Sequence, residues 1–109
     1  MSDYTRKHFR VRYPVGDRPK ITVAGSLGSV LNISENGVQF VSEGTCDADR
    51  GETLYARIEF SGGSQMDVRG KVVRIQGQNF ALELDTPLPQ GLMMAEHRFL
   101  IQKYPEALE

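Results

Sequence analysis

Hydrophobic and polar residues alternate over most of the chain, and the alternation is clearest between Thr53 and Phe60. There Leu54, Ala56, Ile58 and Phe60 share one parity, and Thr53, Tyr55, Arg57 and Glu59 share the other. A period of two is the mark of a half-buried β-strand. The same reading holds for Ile21 and Val23 around Thr22, for Val38 and Phe40 around Gln39, and for Phe80, Leu82 and Leu84. Val30 to Ile33 resumes after the punctuation of Gly25 and Gly28. Met66, Val68 and Val72 share a parity with Gly70, but Val73 and Ile75 fall on the other, which predicts a bulge or bend near Gly70. Gly62-Gly63 and Gly77-Gln78-Asn79 read as turns. Past Pro87 and Pro89 the period lengthens. Met93, His97, Leu100, Ile101 and Tyr104 follow helical spacing, which predicts a helix over 90–104 that stops before Pro105. Short strands followed by one helix predict a small antiparallel barrel or sandwich over 20–86, and closure into a barrel removes exposed sheet edges. Residues 1–18 are polar, with Pro14, Gly16 and Pro19 breaking regular structure, and read as a flexible basic arm.

The chain has 109 residues, enough for one domain with its own core. Its formal charge is −1, yet residues 1–20 carry six basic and two acidic groups while the remainder carries seven and twelve. A positive beginning on a negative body points to a local anion site and away from long nucleic acids. A single cysteine, Cys46, makes no internal disulfide and demands no oxidising compartment. No apolar run approaches the roughly 18 residues of a membrane span, and MSDYTRKHFRVRYP lacks the apolar core of a signal peptide. The expected location is cytoplasmic, without membrane insertion.

Two patterns carry chemistry. Arg6-Lys7-His8-Phe9-Arg10 contains R-x-x-x-R, which fits either a solvated tail or an arginine clamp. Arginine forks can bond phosphate or the O6/N7 edge of guanine, and can stack on a base. Asn32-Ile33-Ser34-Glu35-Asn36-Gly37 contains N-x-S-x-x-G. Asn36-Gly37 alone suits a type I′ hairpin turn, with φ positive at both residues. Asn32 and Ser34 share a strand face, with Leu31 and Ile33 turned to the core. A carboxamide and a hydroxyl there suit a purine edge and a phosphate or sugar, and Gly37 lets the backbone bend and approach a ligand.

R-x-x-x-R ahead of N-x-S-x-x-G, with Gly37-Val38-Gln39-Phe40, Gly51-Glu52-Thr53-Leu54 and Gly70-Lys71-Val72-Val73-Arg74 following, resembles the PilZ domain family. The resemblance runs from about Arg6 to Lys103. It implies a six-stranded antiparallel β-barrel with one C-terminal helix. It also implies binding of the bacterial second messenger cyclic di-GMP by Arg6, Arg10, Asn32, Ser34 and Gly37, with Thr5, Lys7 and Arg74 as further candidates. Asn32 stands where the family motif often has Asp. Asn can both donate and accept, whereas an ionised Asp only accepts. Thr5 stands where some members carry a basic residue and bind a stacked ligand pair, which favours one ligand per site. The implied function is a receptor module that changes shape on binding and signals to a protein partner.

Two other functions are open to the sequence: a PilZ-like adaptor that binds no nucleotide, and a small barrel for single-stranded nucleic acid. The intact arginines argue against the first. The absence of Trp and the acidic body argue against the second. No nucleophile–base set or phosphate loop suggests catalysis, and neither the Cys/His spacing nor Asp47, Asp49 and Glu52 suggests a metal or calcium site. His97 reads as a packed helix residue, Cys46 as a loop residue, and Met66, Met93 and Met94 as core filler.

Overall fold

The computed structural model describes residues 10–104. The chain runs β1 (Arg10–Arg12), a 3-10 turn (Val15–Asp17), β2 (Lys20–Val23), β3 (Ser26–Ser34), β4 (Gly37–Ser42), β5 (Thr53–Glu59), β6 (Gln65–Gln76), β7 (Asn79–Leu84) and α1 (Gln90–Lys103). Antiparallel pairing proceeds β2–β3–β4–β7–β6–β5 and returns to β2, closing a six-stranded barrel. β1 is an extra outer strand. It pairs with Asn32–Ser34 of β3, on the edge that β2 uses at Ser26–Ser29. The segment expected to be irregular over 1–18 therefore holds a strand and a 3-10 turn in its described part.

The barrel closes because the inward parity is apolar almost all round, with Ser42 of β4 as a buried polar exception. Ile21, Val23, Val30, Ile33, Val38, Phe40, Ile58, Val72 and Leu82 are almost fully buried. Phe40 and Phe80 are cross-strand partners with stacked rings 5.4 Å apart. Two bulges bend the wall. One falls at Leu31, where the β3–β4 register shifts between Val30 and Asn32. The inward positions are consequently Val30 and Ile33, and Leu31, expected in the core, is only half buried. The other falls at Val73, where the β6–β7 register shifts, three residues beyond the Gly70 expected to mark it. Gly70 instead keeps the inward parity, paired with Leu54 and Leu84, and a Cβ there would stand 2.7 Å from the Glu83 carbonyl oxygen.

The turns also differ from expectation. Ser34 pairs with Gly37, so the β3–β4 loop is Glu35-Asn36, and neither Asn36 nor Gly37 has positive φ. The type I′ geometry assigned to Asn36-Gly37 is thus absent. Positive φ at two successive hairpin residues occurs instead at Ala24 (52°) and Gly25 (82°), between the paired residues Val23 and Ser26. A left-handed alanine is strained by its Cβ.

Helix α1 buries Met93, Glu96 and Leu100. The predicted stripe is rotated: its Ile101 is exposed at 41% and Met94, expected as core filler, at 50%, while Glu96 is 2% exposed. The carboxylate is tolerated there because Tyr13 donates to Oε1 at 2.7 Å and the Gly62 N–H donates to Oε2 at 3.1 Å. Burial, reinforced by Glu96, pushes the Tyr13 hydroxyl far above its ordinary range, so it stays protonated and donates. At the other end of the helix, Lys103 (3.1 Å) and Tyr104 both bond the Asp17 carboxylate of the 3-10 turn. Ser61 donates to the Asp17 carbonyl at 2.7 Å.

Two outcomes are expected. Ala24→Asn, which suits the left-handed region and creates Asn-Gly at the turn, raises stability by about 1 kcal/mol in chemical denaturation; a loss contradicts the turn geometry. The Asp17 carboxyl is held below its ordinary value of 3.8 by Tyr104 first and Lys103 second. A depressed carboxyl stabilises the fold above its unfolded value and loses that contribution as pH falls through the folded value. The thermal midpoint should therefore drop in acid below about pH 3.8, and Asp17→Asn should flatten that limb. An unchanged acid limb in the variant contradicts the role of the Asp17 bonds to Lys103 and Tyr104.

Candidate functional site

A cleft of about 500 Å³ opens on the outer wall of the barrel and is lined by residues of β1, β3, β4, β6 and β7. Arg10, Asn32, Ser34, Gly37 and Arg74, separated by up to 64 positions in sequence, all line it. The β-pairing causes the convergence. Arg10 stands opposite Ser34 across β1–β3, Ser34 stands opposite Gly37 across β3–β4, and Gly37 stands opposite Glu83 across β4–β7. Arg74 follows the Val73 bulge and is exposed on the wall that β6 shares with β7. Thr5, Arg6 and Lys7 lie outside the described residues.

The cleft is polar and unevenly charged. Arg10 donates from Nη1 to Asn32 Oδ1 at 3.0 Å. Asn32 Nδ2 donates to Gln39 Oε1 at 2.8 Å, and Gln39 Nε2 donates to Asn79 Oδ1 at 3.1 Å. Neither Arg10 nor Arg74 has a carboxylate partner among the described residues. The Ser34 hydroxyl is likewise unengaged among them. Gly37 serves by its size rather than by a special φ: a Cβ there would lie 3.2 Å from Ser34 Oγ and 3.4 Å from the Leu82 carbonyl oxygen. Glu83 is the acidic residue of the rim.

A second groove, of about 540 Å³, lies over β5 and β6 beneath the segment leading to α1. Its lining includes Tyr55, Met66, Val68 and Leu88. Arginines on this side of the barrel are already neutralised. Arg57 pairs with Asp67 at 2.8 Å and holds that carboxyl below the usual range, and Arg69 pairs with Asp85 while lying 5.9 Å over the Tyr55 ring. Among the described residues, an incoming anion therefore finds guanidinium groups without a carboxylate partner in the first cleft and an occupied one, that of Arg69, in the second.

The sequence reading missed Gln39 and Glu83 as cleft residues. Gln39 alternates with Val38 and Phe40, so its outward direction was legible, but its place beside Asn32 depends on the hairpin register. Asn79 was noted as a turn residue. The structure gives it a bonding partner in Gln39, while Gly77 (φ 62°) supplies the turn.

A family model for the PilZ domain matches residues 4–102. The chain belongs to the PilZ domain family. No curated protein matches it. Among solved structures, the Bacillus subtilis inhibitor of motility MotI/DgrA is similar, with 17% identity and a TM-score of 0.66. That alignment covers 92% of this chain and 51% of the Bacillus one, so this chain spans about half its length. An uncharacterized Legionella protein, Lpg0364, is similar with 17% identity and a TM-score of 0.52, over 93% of this chain and 99% of that one. At that identity the two structures speak for the fold: a PilZ barrel with an outer strand and a C-terminal helix. Membership places the chain with non-catalytic receptor and adaptor domains. Among the described residues, no group of three or more His, Cys, Asp or Glu is placed to hold a metal ion, and no helix is long and apolar enough to cross a membrane.

Proposed function

We propose that this PilZ domain is a receptor module for cyclic di-GMP, with one ligand seated in the cleft between Arg10 and Arg74. The observation that carries the reading is the convergence of Arg10, Asn32, Ser34, Gly37 and Arg74 on one open cleft whose arginines have no carboxylate partner among the described residues. Cyclic di-GMP is a compact dianion with two guanines, and it matches this lining group by group. The Arg10 fork bonds a phosphate or the O6/N7 edge of a guanine. The Ser34 hydroxyl donates to a phosphate or sugar oxygen, Asn32 meets a guanine edge, and the bare Gly37 lets the ligand close on the strand. Arg74 stacks on a guanine from the β6 side. Arg6, four residues ahead of Arg10, is the second arm of the clamp, with Thr5 and Lys7 beside it. Hydrogen bonds to charged groups contribute about 1.5–3 kcal/mol each, so two arginines support micromolar or tighter binding after the ordering cost.

Binding also supplies a signal. Arg10 must exchange its bond to Asn32 for bonds to the ligand. β1 carries that change toward Tyr13, whose hydroxyl is bonded to Glu96 of α1. A protein partner that reads β1 or α1 then distinguishes the two states. The messenger is a cytoplasmic molecule, and the module acts there.

Isothermal titration of the full chain with cyclic di-GMP tests the reading. Saturable binding in the micromolar range or below is expected, at one ligand per chain, with at least a tenfold loss in Arg10→Ala. No heat up to high-micromolar ligand, or undiminished binding by the variant, contradicts it.

A further inference from the structure

We propose that Gln39 is a positioning residue that makes Asn32 act as a hydrogen-bond acceptor toward the ligand; the inference rests on the cyclic di-GMP reading of the cleft. An asparagine carboxamide can present either end, and a purine edge tells the two apart. Here the choice is fixed by a chain of bonds with a single direction. Arginine has donors only, so the group Asn32 turns to Arg10 Nη1, 3.0 Å away, is its oxygen. The Asn32 nitrogen therefore faces β4, where Gln39 Oε1 accepts its proton at 2.8 Å. That in turn leaves Gln39 Nε2 to donate to Asn79 Oδ1 at 3.1 Å.

Arg10 sets the direction, and after it departs Asn32 cannot reverse on its own. Once Arg10 turns to the ligand, a flip of Asn32 alone would set its oxygen against Gln39 Oε1, acceptor against acceptor. Relief would require Gln39 and then Asn79 to turn as well, a concerted reversal of three carboxamides. With the bond of Asn32 Nδ2 to Gln39 kept, Asn32 Oδ1 is released into the cleft unsatisfied. It calls for N–H donors. Guanine offers two adjacent ones on its Watson–Crick edge, N1–H and the exocyclic amino group. Adenine keeps one donor there, its exocyclic amino group, but sets an N1 lone pair beside it. Gln39 thus sets which base the Asn32 end of the cleft accepts without itself needing to touch it.

The test is a set of calorimetric titrations of the full chain with cyclic di-GMP, in the native background and in Asn32→Asp, whose two carboxylate oxygens both accept. Gln39→Met removes the anchor and should weaken binding about fivefold in the native background, with little change in Asn32→Asp. Gln39→Lys gives a sharper sign. Added positive charge beside a dianion favours binding on electrostatic grounds alone. A lysine can only donate, however, so it captures Asn32 Oδ1 and turns the donor end to the ligand. Affinity should fall in the native background and hold or rise in Asn32→Asp. Equal losses in both backgrounds, or unchanged or tighter binding by Gln39→Lys in the native background, overturn the role of Gln39 while leaving the receptor reading intact. Absence of wild-type binding overturns the receptor reading and this inference with it.

Discussion

The pairing of β3 with β4 around the two-residue turn Glu35-Asn36 decides where every cleft residue stands. It sets Ser34 opposite Gly37 and Asn32 opposite Gln39, and on the other edge of β3 it leaves Ser34 facing Arg10. A slip of one residue would exchange the two faces of the strand. Val30 and Ile33 resist that slip from inside the barrel, where both are fully buried. The bulge at Leu31 reconciles an inward Val30 with an outward Asn32 and Ser34. Core packing and site geometry are in this sense one constraint, imposed from opposite sides of a nine-residue strand.

What the sequence disclosed follows from what is local. The strict alternation of β5 and β7 gave their inward faces correctly, and the change of period after Pro89 gave the helix. Misplacements arose where a distant partner overrules a local signal. Asn36-Gly37 is a strong turn dipeptide in isolation, but Gly37 is claimed as a strand residue by Glu83 of β7 as well as by Ser34. The parity break in β6 was legible, and its position was not, because Gly70 is paired in register with both Leu54 and Leu84 and the shift against β7 comes only after Val72. Glu96 on the buried face of α1 has no local explanation. Its partners are Tyr13, 83 residues away, and Gly62, 34 away. The motif residues Arg10, Asn32, Ser34, Gly37 and Arg74 were named from the sequence, whereas Gln39 needed the register.

The lopsided charge of the chain also gains a spatial meaning. Among the described residues, Arg57, Arg69 and Lys103 are each committed to a carboxylate, and the guanidinium groups of Arg10 and Arg74 at the cleft are not. An acidic body repels a long polyanion, yet the cleft keeps cationic donors for a small one. The Tyr13–Glu96 bond joins the segment after β1, the strand bearing Arg10, to α1.

The central claim is that cyclic di-GMP occupies the cleft of Arg10, Asn32 and Ser34. The most direct measurement is a titration of the isotopically labelled chain with cyclic di-GMP, followed by backbone and side-chain amide NMR. The largest shifts are expected on the Asn32 side chain, Ser34 and Gly37, with Tyr55 and Val68 of the second groove unmoved. A spectrum that does not respond, or one whose changes centre on Tyr55 and Val68, would contradict the claim.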